Sequence, residues 1–114
     1  MVRKKIYIAG PVSGNDYNNA LMQFNAAEAA IYALHGYADV KVVNPMRLCR
    51  GLTRWSECMR RCIGELVTCD FIHLLPGGEQ SRGARLEFTI ATELGLGLCN
   101  EKYILLNPDG TICQ

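Results

Sequence analysis

Residues 5–14 read Lys-Ile-Tyr-Ile-Ala-Gly-Pro-Val-Ser-Gly, an apolar run from Ile6 to Ala9 cut off by Gly10-Pro11. A run of that length, rich in β-branched and aromatic residues and ended by turn formers, predicts a buried strand. Beyond it the period changes. Leu21, Phe24, Ala27, Ile31 and Leu34 recur at steps of three and four, one face of a helix that begins at Tyr17 and stops at Gly36. Val40 to Val43 is a second β-branched run, closed by Asn44-Pro45. Residues 54–68 return to helical spacing, with Trp55, Met59, Cys62, Leu66 and Cys69 on one side. Residues 71–75 form a third apolar run before Pro76-Gly77-Gly78. A third helix is predicted over 81–98 with the stripe Ile90, Ala91, Leu94 and Leu98, and a last strand over 103–106 precedes the turn Asn107-Pro108-Asp109-Gly110.

Strands that are apolar throughout and alternate with helices predict an α/β fold: a three-layer, doubly wound (flavodoxin- or Rossmann-like) parallel sheet of four to five strands. Right-handed crossovers favour the strand order 2-1-3-4, with any fifth strand continuing that edge. The first and third strands are then neighbours, their following helices lie on opposite faces, and a crevice opens at their carboxyl ends, where such sheets bind ligands. At 114 residues, positions 1–114 are expected to form a single domain.

Twelve Lys and Arg against eleven Asp and Glu leave a net charge of +1, which argues against a nonspecific binder of nucleic-acid polymers or membranes. The apolar run after Arg3-Lys4-Lys5 is too short for a secretory signal, and no stretch approaches a membrane span. The expected setting is the cytoplasm, with all six cysteines reduced. Cys58 and Cys62 stand at i, i+4 and offer two thiols on one helical face, which a histidine would have to complete into a zinc site; small core cysteines are the favoured alternative. No metal and no cofactor is expected.

Two loops fall at the crevice, residues 9–15 and residues 76–85, both rich in glycine and small polar residues. Neither is a dinucleotide-binding G-x-G-x-x-G nor a P-loop. What the second offers is a helix N-terminus with Ser81, Arg82 and Arg85 around it, suited to one phosphate or carboxylate group, or else a plain N-cap with two solvated arginines. Glu87 is more unusual, because Ile90, Ala91 and Leu94 follow it at i+3, i+4 and i+7 and set it on the buried stripe. A carboxylate there needs a partner or a role. Burial would raise its pKa and the nearby helix N-terminus would lower it, and a group so held can act as nucleophile or base. Tyr7, three residues before Gly10, reaches the crevice floor. Asp70 caps the far end of its strand, His73 packs in the core, and Glu28 and Glu93 are expected in solvent.

The segments IYIAGPVSG (6–14), the Asn44-Pro45 pair and CDFIHLLPGGEQSRGARLEFTIATELGL (69–96) resemble the nucleoside 2-deoxyribosyltransferase-like superfamily, and within it a small uncharacterised family of bacterial and phage proteins. The resemblance covers residues 5–98, and its most specific part is Ser81-x-Gly83-x-x-x-Glu87 after a strand that opens with Asp70. It implies a doubly wound α/β fold and cleavage of the N-glycosidic bond of deoxynucleosides or their 5′-monophosphates. It also implies roles: Glu87 as the catalytic glutamate, Tyr7 beside it, and Gly10, Pro11 and Ser13 in the segment that closes over base and sugar. Ser81 and Gly83 match the phosphate-binding turn of the nucleotide hydrolases. This chain departs from those hydrolases twice. Cys62 stands where they carry an aspartate, and Ser13 where they carry an arginine; Arg82 or Arg85 would have to compensate for the latter.

The expected function is therefore hydrolysis or transfer at the N-glycosidic bond of a (deoxy)nucleoside 5′-monophosphate or nucleoside, by an enzyme similar to deoxynucleoside 5′-monophosphate N-glycosidases. The alternative, which Cys62 favours, is a catalytically degenerate nucleotide- or phosphosugar-binding protein on the same fold. The partner is a small-molecule nucleotide or nucleoside. Superfamily sites are completed by a neighbouring subunit, and Trp55, Met59 and the stretch Ala26-Ala27-Glu28-Ala29-Ala30 offer helix surfaces for a homodimer or homotetramer.

Overall fold

A computed structural model describes residues 3–12 and 16–114. β1 (Lys4–Ala9) lies between β2 (Val40–Val43) and β3 (Phe71–Leu74), parallel to both. β4 (Gly97–Cys99) continues the sheet in parallel beside β3, and β5 (Leu105–Leu106) pairs antiparallel with β4. The order is β2-β1-β3-β4-β5, as expected for a doubly wound sheet. Among the described residues four α-helices flank it, α1 (Tyr17–His35), α2 (Pro45–Leu48), α3 (Trp55–Leu66) and α4 (Arg82–Glu93), with one 3-10 turn at Gly78–Gln80.

The alternation of side chains along β1 divides the core in two. Ile6 and Ile8 face Phe24, Ala27 and Ile31 of α1, whereas Tyr7 and Ala9 face Cys62 and Leu66 of α3 and Ala84 and Ala91 of α4. All four of these β1 residues are fully buried, which is why the run carries no polar alternation. On α1 the buried positions are Ala20, Phe24, Ala27 and Ile31, at steps of four, three and four, and Gly36 closes the helix at φ +85°. Leu34 does not join this stripe; it is exposed. Glu28 is not solvated as expected but pairs with Arg47, whose Nη2 lies 2.7 Å from its Oε2, tying α1 to α2.

Three further expectations are corrected. The third helix does not run to Leu98: Gly95 at φ +76° ends it, Leu94 is exposed, and Gly97 to Cys99 are a strand. Consequently the run over 103–106 is not the fourth parallel strand, and only Leu105 and Leu106 pair, as the antiparallel edge. Asn44-Pro45, which closes the second strand as read, also starts α2: the Asn44 side chain accepts from the Met46 N–H at 3.0 Å, with Pro45 in the first turn. Nor are all six cysteines reduced. The α2–α3 connection brings the Cα atoms of Cys49 and Cys58 to 5.2 Å, and the two are joined by a disulfide. Asp70 behaves as read, accepting the Lys5 N–H at 2.9 Å at the end of the sheet away from the crevice. His73 is buried, its Nδ1 2.8 Å from the Cys99 carbonyl oxygen. Among the described residues no helix is long and apolar enough to cross a membrane.

Gly97 tests the corrected C-terminal half. A Cβ there would lie 2.4 Å from the Leu106 carbonyl oxygen and 2.6 Å from the Phe71 ring. Gly97→Ala should destabilise the protein by about 1–3 kcal/mol, read as a lower urea midpoint at unchanged slope. A residue on an exposed helix surface would show no such loss.

Candidate functional site

Gly10 and Leu75 end β1 and its neighbouring segment in such close contact that a Cβ on Gly10 would stand 2.7 Å from Leu75 Cδ1. Above these strand ends opens a cleft of about 360 Å³, between the first turns of α4 on one side and the 49–55 connection on the other. Gly10, Ser81, Gly83 and Glu87 line it, together with Arg50, Arg54 and Trp55.

Glu87 sits in the second turn of α4 and is 5% exposed. The hydroxyl of Tyr7, projecting from β1 into the same core, donates to Glu87 Oε2. Burial pushes the Glu87 carboxyl up to about 7, against the Tyr7 hydrogen bond, which lowers it. Burial, and then the adjacent Glu87 charge, keep the Tyr7 hydroxyl protonated well above its ordinary range. Beside them lies Cys62, its thiol pushed up to about 11 mainly by burial and therefore neutral. Near neutral pH the carboxyl is the only member of this buried trio that changes charge.

Ser81 caps α4, its Oγ accepting the Ala84 N–H at 3.4 Å, with the helix N-terminus opening to the cleft. Gly83 lets α4 approach α3, since a Cβ there would be 3.1 Å from Met59 Sδ. Arg82 is exposed and lies with its guanidinium 4.1 Å above the Trp55 ring. Trp55 is therefore packed against α4 of its own chain. Arg82 and the exposed Arg85 are not among the residues that line the cleft, and Pro11 flanks it beside Gly77. Ser13 lies outside the described residues. The structure thus brings Tyr7, Gly10, Ser81, Gly83 and Glu87 together. Reading the chain by its periodicity missed the opposite wall, Cys49, Arg50, Arg54 and Trp55. Its signal was the stretch CRGLTRW over 49–55, two arginines in the glycine-containing connection between α2 and α3.

The family described as "Domain of unknown function (DUF4406)" matches residues 4–100, and the chain belongs to it. A solved structure, "2-desoxiribosyltransferase from Leishmania mexicana", is similar at 26% identity and a TM-score of 0.59. The match covers 85% of this chain and 63% of that one, so the chain spans less than two thirds of that enzyme. No curated protein matches the sequence. The α/β fold is deoxyribosyltransferase-like.

The buried carboxyl carries a pH signature. Its folded pKa of about 7 lies above the ordinary 4.5, so between these values the folded protein holds a proton that the unfolded chain has released. The stability gained from the protonated form is complete below pH 4.5 and is lost as pH rises toward 7, a fall of about 3 kcal/mol. Glu87→Gln should therefore be more stable than the wild type at pH 8 and close to it at pH 4. Urea titrations at the two pH values check this, and parallel pH dependence in both proteins would contradict it.

Proposed function

We propose that the chain cleaves the N-glycosidic bond of (deoxy)nucleoside 5′-monophosphates or nucleosides, passing the sugar to water or to a second base. The observation that carries this reading is the Tyr7–Glu87 pair at the cleft, a buried carboxyl with a pKa of about 7 held by one hydroxyl. Its likeness to the Leishmania 2-desoxiribosyltransferase supports the same chemistry.

In this mechanism the ionised Glu87 attacks the anomeric carbon, or stabilises the oxocarbenium ion that forms there. The C–N bond breaks with its electron pair going to the base, which takes up a proton from water. Water or a second base then opens the glycosyl ester and regenerates the carboxylate. Tyr7 orients Glu87, and because its own proton is firmly held it donates throughout. The N-terminus of α4, with Ser81 and the Gly83 backbone, receives the 5′-phosphate, and Arg82 and Arg85 add positive charge from the flank. Gly10 and Pro11 contribute the edge that covers base and sugar. Arg50 and Arg54 on the opposite wall extend the anion-binding surface.

A second reading rests on Cys62. Its neutral thiol next to Tyr7 is a poor acid, and a protein lacking a carboxylic donor there would bind nucleotide without turning it over. The two readings separate in one experiment: incubation with a panel of deoxynucleosides and their 5′-monophosphates, released base being followed by chromatography. Turnover is expected, rising with pH along a limb near 7 as Glu87 ionises. Glu87→Gln should lower it at least about a hundredfold. Thermal stabilisation by nucleotide with no base released would establish the binding protein instead, since ligand at 100 times its dissociation constant adds about 2.7 kcal/mol.

The working form in this reading is a homodimer or homotetramer. Val12 and Tyr17 support it: they line the cleft and yet are 40% and 57% exposed, leaving an apolar rim for a neighbouring subunit to cover. Light scattering at micromolar concentration should give two or four times 12.7 kDa, and a monomeric mass would overturn this part.

A further inference from the structure

Three of the six cysteines converge on the cleft from two directions. Cys49 ends α2, while Cys58 and Cys62 stand one turn apart on α3. Cys62 Sγ lies 3.4 Å from Cys49 Sγ and 4.0 Å from Cys58 Sγ, and all three sulfurs fall within 4.8 Å of one another. The remaining cysteines are differently placed. Cys69 turns its thiol to the Glu65 carbonyl, Cys99 is buried on β4, and neither belongs to a group of sulfurs. Among the described residues no other three His, Cys, Asp or Glu side chains gather in this way.

We propose that Cys49, Cys58 and Cys62, once the Cys49–Cys58 disulfide is reduced, form a three-thiolate site for one soft divalent cation of the zinc type, with its fourth position facing the cleft. The distances carry the argument. Zinc–sulfur bonds of about 2.3 Å at a tetrahedral centre set neighbouring sulfurs about 3.8 Å apart, and the two edges that run to Cys62 bracket that value. Only the Cys49–Cys58 edge has to open, and both of those side chains are half-buried at the cleft wall. The frame is held independently of the sulfurs, because Arg61 Nη1 on α3 donates to the Leu48 carbonyl at 3.2 Å. The Cys62 side chain is also hydrogen-bonded with the Tyr7 hydroxyl, which would serve as an outer-shell partner.

The chemistry balances in two steps. A dithiol reductant gives two electrons and two protons to the Cys49–Cys58 bond, which opens to two thiols as the reductant itself becomes a disulfide. The cation then binds three sulfurs, whose protons pass to buffer. A thiol as reluctant as that of Cys62 is a poor nucleophile by itself, yet a divalent cation displaces such protons outright. The site is thus open to metal in the reduced protein and closed in the oxidised one. Nothing in it depends on glycosidic-bond chemistry.

The test uses the whole chain, reduced with a phosphine, stripped of metal and titrated with zinc chloride against a chromophoric chelator. One zinc per chain should bind to the reduced protein, raise its melting temperature and protect three thiols from alkylation, mapped by mass spectrometry to Cys49, Cys58 and Cys62. The oxidised protein should bind none. Cys62→Ser and Cys49→Ser, each first shown to be folded by circular dichroism, should both lose stoichiometric binding, whereas Cys69→Ser keeps it. Absence of zinc uptake by the reduced wild type would overturn the proposal. So would equal uptake by the oxidised protein, or protection of any other set of thiols.

Discussion

The carboxyl of Glu87, removed from water with the Tyr7 hydroxyl beside it, ties the register of the sheet to the ionisation of one side chain. Glu87 can be buried because β1 turns Tyr7 toward the α3 and α4 face while Ile6 and Ile8 supply the opposite core. A one-residue slip of β1 would send Tyr7 to the α1 side and leave the carboxyl without its donor. The parallel pairing of β1 with both β2 and β3 fixes that register along four residue pairs on each side. Sheet register and the ionisation of one side chain are therefore a single constraint.

The walls of the cleft are built on different terms. On the α4 side, backbone geometry does the positioning: Ser81 caps the helix and Gly83 admits the Met59 sulfur to close range. On the other side stand long or polarisable side chains, with two arginines, a tryptophan stacked on Arg82, and sulfur from both α2 and α3. A rigid donor surface thus faces an adaptable one across about 360 Å³. This division suits a ligand with one end fixed as an anion and the other end variable in shape.

Where the chain alternates strictly between element types, its sequence was legible. The apolar run at Ile6 to Ala9, the three-and-four spacing of α1 and the Gly36 stop all describe local physics, and sheet order followed from handedness. Glu87 stood out because a carboxylate on a buried stripe has few explanations. The misreadings share one cause, contacts distant in sequence. Ile90, Leu94 and Leu98 continue a helical pattern on paper, and only the positive φ at Gly95, followed by the fit of Gly97 against Phe71 and Leu106, converts the segment to a strand. Cys49 is thirteen residues from Cys62, too far for helical spacing to associate them, and a short helix no periodicity could reveal brings them together. Glu28 looked solvated for the same reason, its arginine lying nineteen residues away.

The central place of β1 also bears on how the chain acquires its shape. Its neighbours on either side begin at Val40 and Phe71, and the hydroxyl it contributes meets a carboxylate eighty residues later. During synthesis β1 can close with α1 and β2 first, a compact βαβ unit, but its other edge must wait until β3 has emerged. For that interval one edge of an apolar strand has unpaired backbone groups, a template for pairing with another chain. The charged residues that open β1, Lys4 and Lys5, stand at the start of that vulnerable edge, where charge opposes such association.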